Sequence, residues 1–275
     1  MKKNYNCLDV LKFVMALLIV MIHVQPNQHS EPLQHFFHPF LNITVPVFFV
    51  CSSILLFKKI GDAKNGEGIF LHFCKRLGLL YITWLLIDSW FIIYRKSYFQ
   101  EDLINGVIYF LKDLVFATTF PGSWFLSALF VSVVLVYGFS RVVGPYITII
   151  ISLCFSCYFY HISAIPDQYH DLYNWYAETI RPDVKLSFPA NMIWVSIGQL
   201  IGLHLGSIES SKKWLKPLSV VMLGFSYAIF AYTENPIMFI KFFYTCYFSL
   251  LCSFWRNILF SCGNCFHYFF CDIIF

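Results

Sequence analysis

The chain has 275 residues, of which 59% are hydrophobic, 20% aromatic and only 12% charged, with a formal charge of +4 and a mean hydropathy of +0.66. Soluble domains carry about a quarter of their residues as charged side chains, so this composition excludes a chain whose main solvent is water. The small basic excess sits in short clusters between apolar runs and forms no continuous stripe. It therefore suits bilayer orientation and lipid headgroups and excludes a nucleic-acid partner.

Crossing roughly 30 Å of hydrocarbon takes about 20 apolar residues as a helix, whereas a barrel would show short alternating segments. The runs here are long and continuous. The fold class is all-α, a polytopic transmembrane bundle of eight or nine spans. They are placed near 8–25, 39–57, 77–94, 122–139, 142–160, 188–206, 218–233 and 237–255, with a ninth from Ile258 onward. Lys2 and Lys3 precede the apolar stretch from Val10 to Val24 without a small-x-small cleavage site, so this stretch reads as a retained first helix and not as a signal peptide.

The cations set the orientation, because connections on the cytoplasmic side hold most of the Lys and Arg. With a cytoplasmic N-terminus, that side carries Lys2, Lys3, Lys58, Lys59, Lys64, Lys75, Arg76, Arg141, Lys212, Lys213, Lys216 and Arg256. The other side has Arg95, Lys96, Lys112, Arg181 and Lys185. The loops 26–38, 95–121 and 161–187 then lie outside the membrane. They hold His29, His35, His38, Asp167, His170, Asp171, Glu178 and Asp183, which suit a hydrophilic ligand and equally suit plain solvated loop.

One domain is expected over 1–275, with an atypical tail at 240–275. Half of the ten cysteines, Cys246, Cys252, Cys262, Cys265 and Cys271, crowd there among Phe and Tyr, the pattern of a truncated or frame-shifted end. Cys51, Cys74, Cys154 and Cys157 fall in or beside apolar runs, where thiols act as small hydrophobes, and no disulfide framework is expected. Cys262 and Cys265, followed by His267, make half of a zinc pattern that lacks a second pair, so no metal site is assigned.

The first span, LDVLKFVMALLIVMIHV, holds three polar residues that a plain anchor does not need. At 100° per residue, Lys12 and His23 differ by about 20° around the helix and Asp9 lies about 40° to the other side of His23, so one face carries all three. Asp9 and Lys12, three apart, can pair and so lower the cost of burying either charge. His23 stands roughly 16 Å along the axis from Lys12, toward the outer surface. A neutral imidazole there can accept a hydroxyl proton as a general base for acyl transfer, and the same position also suits an interfacial histidine that anchors a helix end.

Three further signals follow in chain order. Ser52 and Ser53 interrupt the second span before the basic exit at Lys58 and Lys59, where small hydroxyl residues commonly serve close helix packing. Lys75 and Arg76 stand at the cytoplasmic start of span three, able to grip phosphates or simply to fix topology. Trp124 opens span four on the outer side, as a belt anchor or as a ring on which a sugar or acyl group could stack.

Taken together, these residues resemble the membrane-bound acyltransferase 3 family, which O-acylates carbohydrates and other hydroxyl compounds of the bacterial envelope. The opening motif of a leucine-aspartate pair, a basic residue, ten intervening residues and a histidine is matched by Leu8, Asp9, Lys12 and His23. Phe48, Phe49, Val50 and Ser52 match the phenylalanine-rich second span. Lys75 and Arg76 match the basic start of the third, and Trp124, Phe125 and Leu126 match the fourth. Departures are Lys12 for the usual arginine, Ser53 for the usual glycine and Gly78 where a second arginine commonly stands. Lysine lacks the bidentate fork of arginine, so the contact of Lys12 differs in kind.

The resemblance implies transfer of an acyl, most simply acetyl, group from a cytoplasmic acyl-CoA to a hydroxyl of an envelope polysaccharide or its lipid-linked precursor, in the inner (plasma) membrane. No bound cofactor is implied beyond the acyl-CoA co-substrate. His23, Asp9 and Lys12 take the catalytic roles, Lys58, Lys59, Lys75 and Arg76 the donor phosphates, and Trp124 and Ser52 the acceptor or acyl channel. The partners are then acyl-CoA, a carbohydrate acceptor and the bilayer. The rival readings are a glycan or small-solute transporter or flippase, in which the same three residues relay protons or substrate, and an inactive remnant of the enzyme. A transporter of that kind predicts related halves and Gly/Pro-broken helices at matching positions, and the sequence has neither.

Overall fold

A computed structural model describes residues 13–21, 31–90, 92, 103–116, 119, 122–180 and 184–210. All regular structure among them is helical: α1 (13–21), α2 (Glu31–Asp62), α3 (Gly66–Ile87), α4 (Leu103–Phe116), α5 (Ser123–Val143), α6 (Pro145–Tyr160), α7 (Asp171–Thr179) and α8 (Phe188–Ser210), with short 3-10 turns at Ile162–Ala164, Asp167–Tyr169 and Val184–Leu186. Among the described residues, four helices are long and apolar enough to cross a membrane, at Ile43–Asp62, Gly66–Ile87, Ser123–Val143 and Val184–Leu205, and Pro145–Tyr160 is a shorter apolar helix. These correspond to the second through sixth expected spans. The spans placed at 218–233, 237–255 and beyond Ile258, and the tail 240–275 with Cys262, Cys265 and His267, lie outside the described residues.

Two compact units divide the chain, one drawn from Met1–Lys58 with Ile197–Phe275 and the other from Lys59–Ser196. In the first, α1 is one-sided: Met15 and Leu18 are buried while Val14, Leu17 and Val20 are exposed. Val47, Phe49, Val50, Cys51, Ile54, Leu56 and Phe57 of α2 are buried as well. The C-terminal half of α8 lies against α2 with the backbones nearly touching. A Cβ added at Gly198 would stand 2.6 Å from the Val50 carbonyl oxygen and 2.5 Å from Ser53 Cβ, and one at Gly202 would stand 2.8 Å from the Ile54 carbonyl oxygen. Two glycines four apart leave a groove on one helix face, and in a membrane that groove allows dispersion contacts that lipid would otherwise supply.

In the second unit, α5 packs on α3, α4 and α6. Thr148, Ser152 and Ser156 recur every four residues on α6 and are all buried. Ser152 Oγ lies 2.6 Å from Ser196 Oγ of α8, and Ser156 Oγ donates to the Ala190 carbonyl at 2.8 Å. Hydroxyls that bond across helices or back to their own carbonyls satisfy polar groups that lipid cannot, so this seam is a packing device.

Three expectations change here. Span three was placed at 77–94, yet α3 starts at Gly66, because Asn65 caps it by accepting from the Gly68 N–H at 3.0 Å and Glu67 occupies its first turn. Its end comes at Asp88, whose N–H bonds the Trp84 carbonyl at 2.8 Å. The loop expected at 95–121 contains α4, whose Leu103, Ile104, Val107, Ile108, Leu111 and Val115 form one exposed apolar face. At 14 residues, roughly 21 Å, α4 is too short to cross the hydrocarbon. The loop at 26–38 is helical from Glu31 onward, as the start of α2.

Candidate functional site

The three polar residues of the first span, Asp9, Lys12 and His23, lie outside the described residues, as does His29; of His35 and His38 only the helical backbone of α2 is described. The remaining candidates divide by unit. Ser52 is buried in α2, 6% exposed, beside Ser53, whose hydroxyl donates to the Phe49 carbonyl at 2.8 Å and whose Cβ faces Gly198. Ser53 is thus part of the close helix contact, the packing role that small hydroxyl residues commonly fill. Lys58 is half-buried in the same unit, near Gly202.

Lys59, in the last turn of α2, is exposed. Lys75 is exposed and Arg76 half-buried. Because α3 begins at Gly66, these two stand roughly 14 Å along the helix from its start, near its middle instead of at its end. None of Lys59, Lys75 and Arg76 is in an ion pair among the described residues. Arg141 is differently engaged: its guanidinium bonds Glu67 and sits 5.6 Å over the Tyr137 ring, which stacks on Phe70 at 3.9 Å. That clasp ties the end of α5 to the start of α3, with an acid in the first turn of one helix and a base in the last turn of the other, each matched to its helix dipole.

Trp124 is half-buried one residue into α5, its ring edge-on to Phe125 at 6.4 Å. The start of α5 is fixed by a polar knot that sequence reasoning missed. The Tyr81 hydroxyl of α3 donates to the Leu114 carbonyl at 2.8 Å and lies 3.3 Å from Thr119 Oγ1, and the Thr119 N–H donates to Ser123 Oγ at 2.9 Å. Thr119 and Ser123 are both fully buried. Gly122, at φ 85°, makes the left-handed turn into the helix that a side chain would strain. The run Pro121-Gly122-Ser123 was the available signal, a breaker pair followed by a hydroxyl residue at a helix start.

Residues 161–180 and 184–187 form a folded cap. Phe159, Tyr176, Val184 and Ala190 form its core, flanked by Tyr158, Tyr160, Tyr173, Ala177, Ile180 and Phe188. The Tyr158 hydroxyl donates to the Tyr169 carbonyl at 2.7 Å and accepts from the Tyr173 N–H at 3.2 Å. His170 is engaged structurally: Nε2 lies 2.8 Å from the Ile165 carbonyl and Nδ1 3.5 Å from the exposed Asp167 carboxylate. Asp171 and Glu178 are exposed on α7, and Asp183 lies outside the described residues.

Among curated proteins, an amino-acid racemase of Enterococcus faecalis is 29% identical to this chain over 128 residues, which are 46% of this chain and 17% of that protein. The chain therefore covers far less than two thirds of that relative's length. No solved structure matches. The family model described as an acyltransferase domain matches residues 5–270, a stretch that takes in Asp9, Lys12 and His23, every other candidate above and most of the tail. The chain belongs to the acyltransferase 3 family.

Proposed function

We propose that this protein is a multi-pass O-acyltransferase of the inner (plasma) membrane, with a cytoplasmic N-terminus. It moves an acyl group, acetyl in the simplest case, from cytoplasmic acyl-CoA to a hydroxyl of an envelope polysaccharide or its lipid-linked precursor. The observation that carries this reading is the family match over residues 5–270 together with the Leu8, Asp9, Lys12 and His23 spacing. In direct transfer, His23 accepts the hydroxyl proton as that oxygen bonds the thioester carbonyl carbon; the C–S bond then breaks and the departing thiolate takes the proton. Asp9 and Lys12 pair to hold the first helix and steer the thioester. Lys58, Lys59, Lys75 and Arg76 attract the donor phosphates, and Ser52 and Trp124 line the path of the acyl group or acceptor.

That Lys59, Lys75 and Arg76 have no acidic partner among the described residues supports their availability to an anion. The racemase name belongs to a protein of which the match covers 17%, and racemisation is not assigned to this chain. The test is thioester consumption: purified protein turns over acetyl-CoA in the presence of envelope glycan, and His23→Ala abolishes O-acylation while the protein still reaches the membrane. A preparation that consumes no thioester but moves glycan across vesicles would make it a transporter.

A further inference from the structure

We propose that the solvent face of α7 is a docking platform for a neutral or amine-bearing hexose oligomer, with the Trp175 indole as its floor. Trp175 is 54% exposed, whereas Tyr176 of the same helix is buried in the cap core and Tyr173 is packed against it. On a helix, its neighbours on the same face are the residues three and four away: Asp171, Leu172, Glu178 and Thr179. All four are exposed. The indole is therefore bordered by two carboxylates, a hydroxyl and one aliphatic side chain. A pyranose ring offers an apolar C–H face to stack on an indole and equatorial hydroxyls that donate to carboxylates at its rim.

Charge selects among occupants. The segment 161–187 carries Asp167, Asp171, Glu178 and Asp183 against Arg181 and Lys185. Asp171 and Glu178 beside the indole repel phosphate and uronate groups and attract an ammonium. A tryptophan that anchors a helix in the headgroup layer faces anionic lipid phosphates, which these carboxylates oppose.

The platform is also held in place. Next to Trp175 in the helix, Tyr176 packs on Phe159 at 5.4 Å and on Phe188 at 6.1 Å between ring centroids. Tyr158 staples both Tyr169 and Tyr173. A surface already fixed before the ligand arrives loses little conformational freedom on binding.

This inference rests on the acyl-transfer reading only in expecting a glycan on this side of the protein, and its measurement is separate. Full-length protein in nanodiscs is titrated with chitotetraose, with its de-N-acetylated counterpart and with tetragalacturonate. The first two are expected to bind and the third not. Trp175→Ala weakens binding about tenfold, whereas Trp175→Phe keeps most of it. Asp171→Asn with Glu178→Gln selectively weakens the amine-bearing oligomer. Acyl transfer is read separately, as thioester consumption by the same preparations, so failure of the enzymatic reading is seen independently. Equal binding by Trp175→Ala, no binding by either of the first two oligomers, or quenching of Trp175 fluorescence by brominated lipid, the mark of a bilayer anchor, would overturn the proposal.

Discussion

The contact between α2 and α8 allows a prediction whose size follows from the geometry. Replacing Gly198 by alanine puts a methyl group 2.6 Å from the Val50 carbonyl oxygen and 2.5 Å from Ser53 Cβ, roughly 1 Å inside ordinary van der Waals separation. Backbone atoms cannot rotate aside, so the helices must separate and lose contact along the seam. Overpacking of this kind costs about 1–3 kcal/mol. Gly202→Ala meets the Ile54 carbonyl at 2.8 Å and belongs to the same class. Gly138 and Gly78, inside α5 and α3 with no neighbour within 4 Å, are the controls: alanine there should stabilise by about 0.5–1 kcal/mol through helix propensity. The assay is the thermal or SDS unfolding midpoint of the four single variants in one detergent. Ser53→Gly, which removes one of the two obstructing groups, should recover part of the Gly198→Ala loss. Equal midpoints for Gly198→Ala and Gly138→Ala would refute the close approach.

Other outcomes follow from single contacts. Tyr81→Phe deletes the hydroxyl that holds the Leu114 carbonyl and Thr119, and should lower stability by about 1–2 kcal/mol while loosening the start of α5, read as faster hydrogen exchange at 119–125. Trp194 is 1% exposed with its indole N–H unbonded among the described residues, so Trp194→Phe should cost far less than Trp194→Ala, which removes about 3–5 kcal/mol in the same unfolding assay. Glu67→Gln should shift the midpoint by less than about 1 kcal/mol, because both members of its pair with Arg141 are more than half exposed.

Helix class and the starts of three described spans were readable because they depend on one-dimensional quantities. An apolar run long enough to cross hydrocarbon must be helical, and Ser123–Val143, Pro145–Tyr160 and Phe188–Ser210 begin within three residues of the expected places. The third span was displaced for a specific reason. Lys75 and Arg76 lower the local hydropathy and look like a boundary, whereas the boundary is set by the Asn65 cap and by the backbone turn at Asp88. The sequence places the short α4 in a loop because a 14-residue apolar helix is not a span, and only its one-sided exposure identifies it as amphipathic.

What the residues alone determined was the solvent, the helical class and the family: bilayer energetics act on each segment separately, and the opening spacing of acid, base and imidazole is read along one short stretch of sequence. Which glycine touches which carbonyl, that Arg141 is spent on Glu67 while Lys75 and Arg76 meet no acid among the described residues, and that a tryptophan on α7 stands clear of its aromatic core were decided by tertiary packing. Such facts depend on distances between segments remote in the chain, and no periodicity within one segment encodes them.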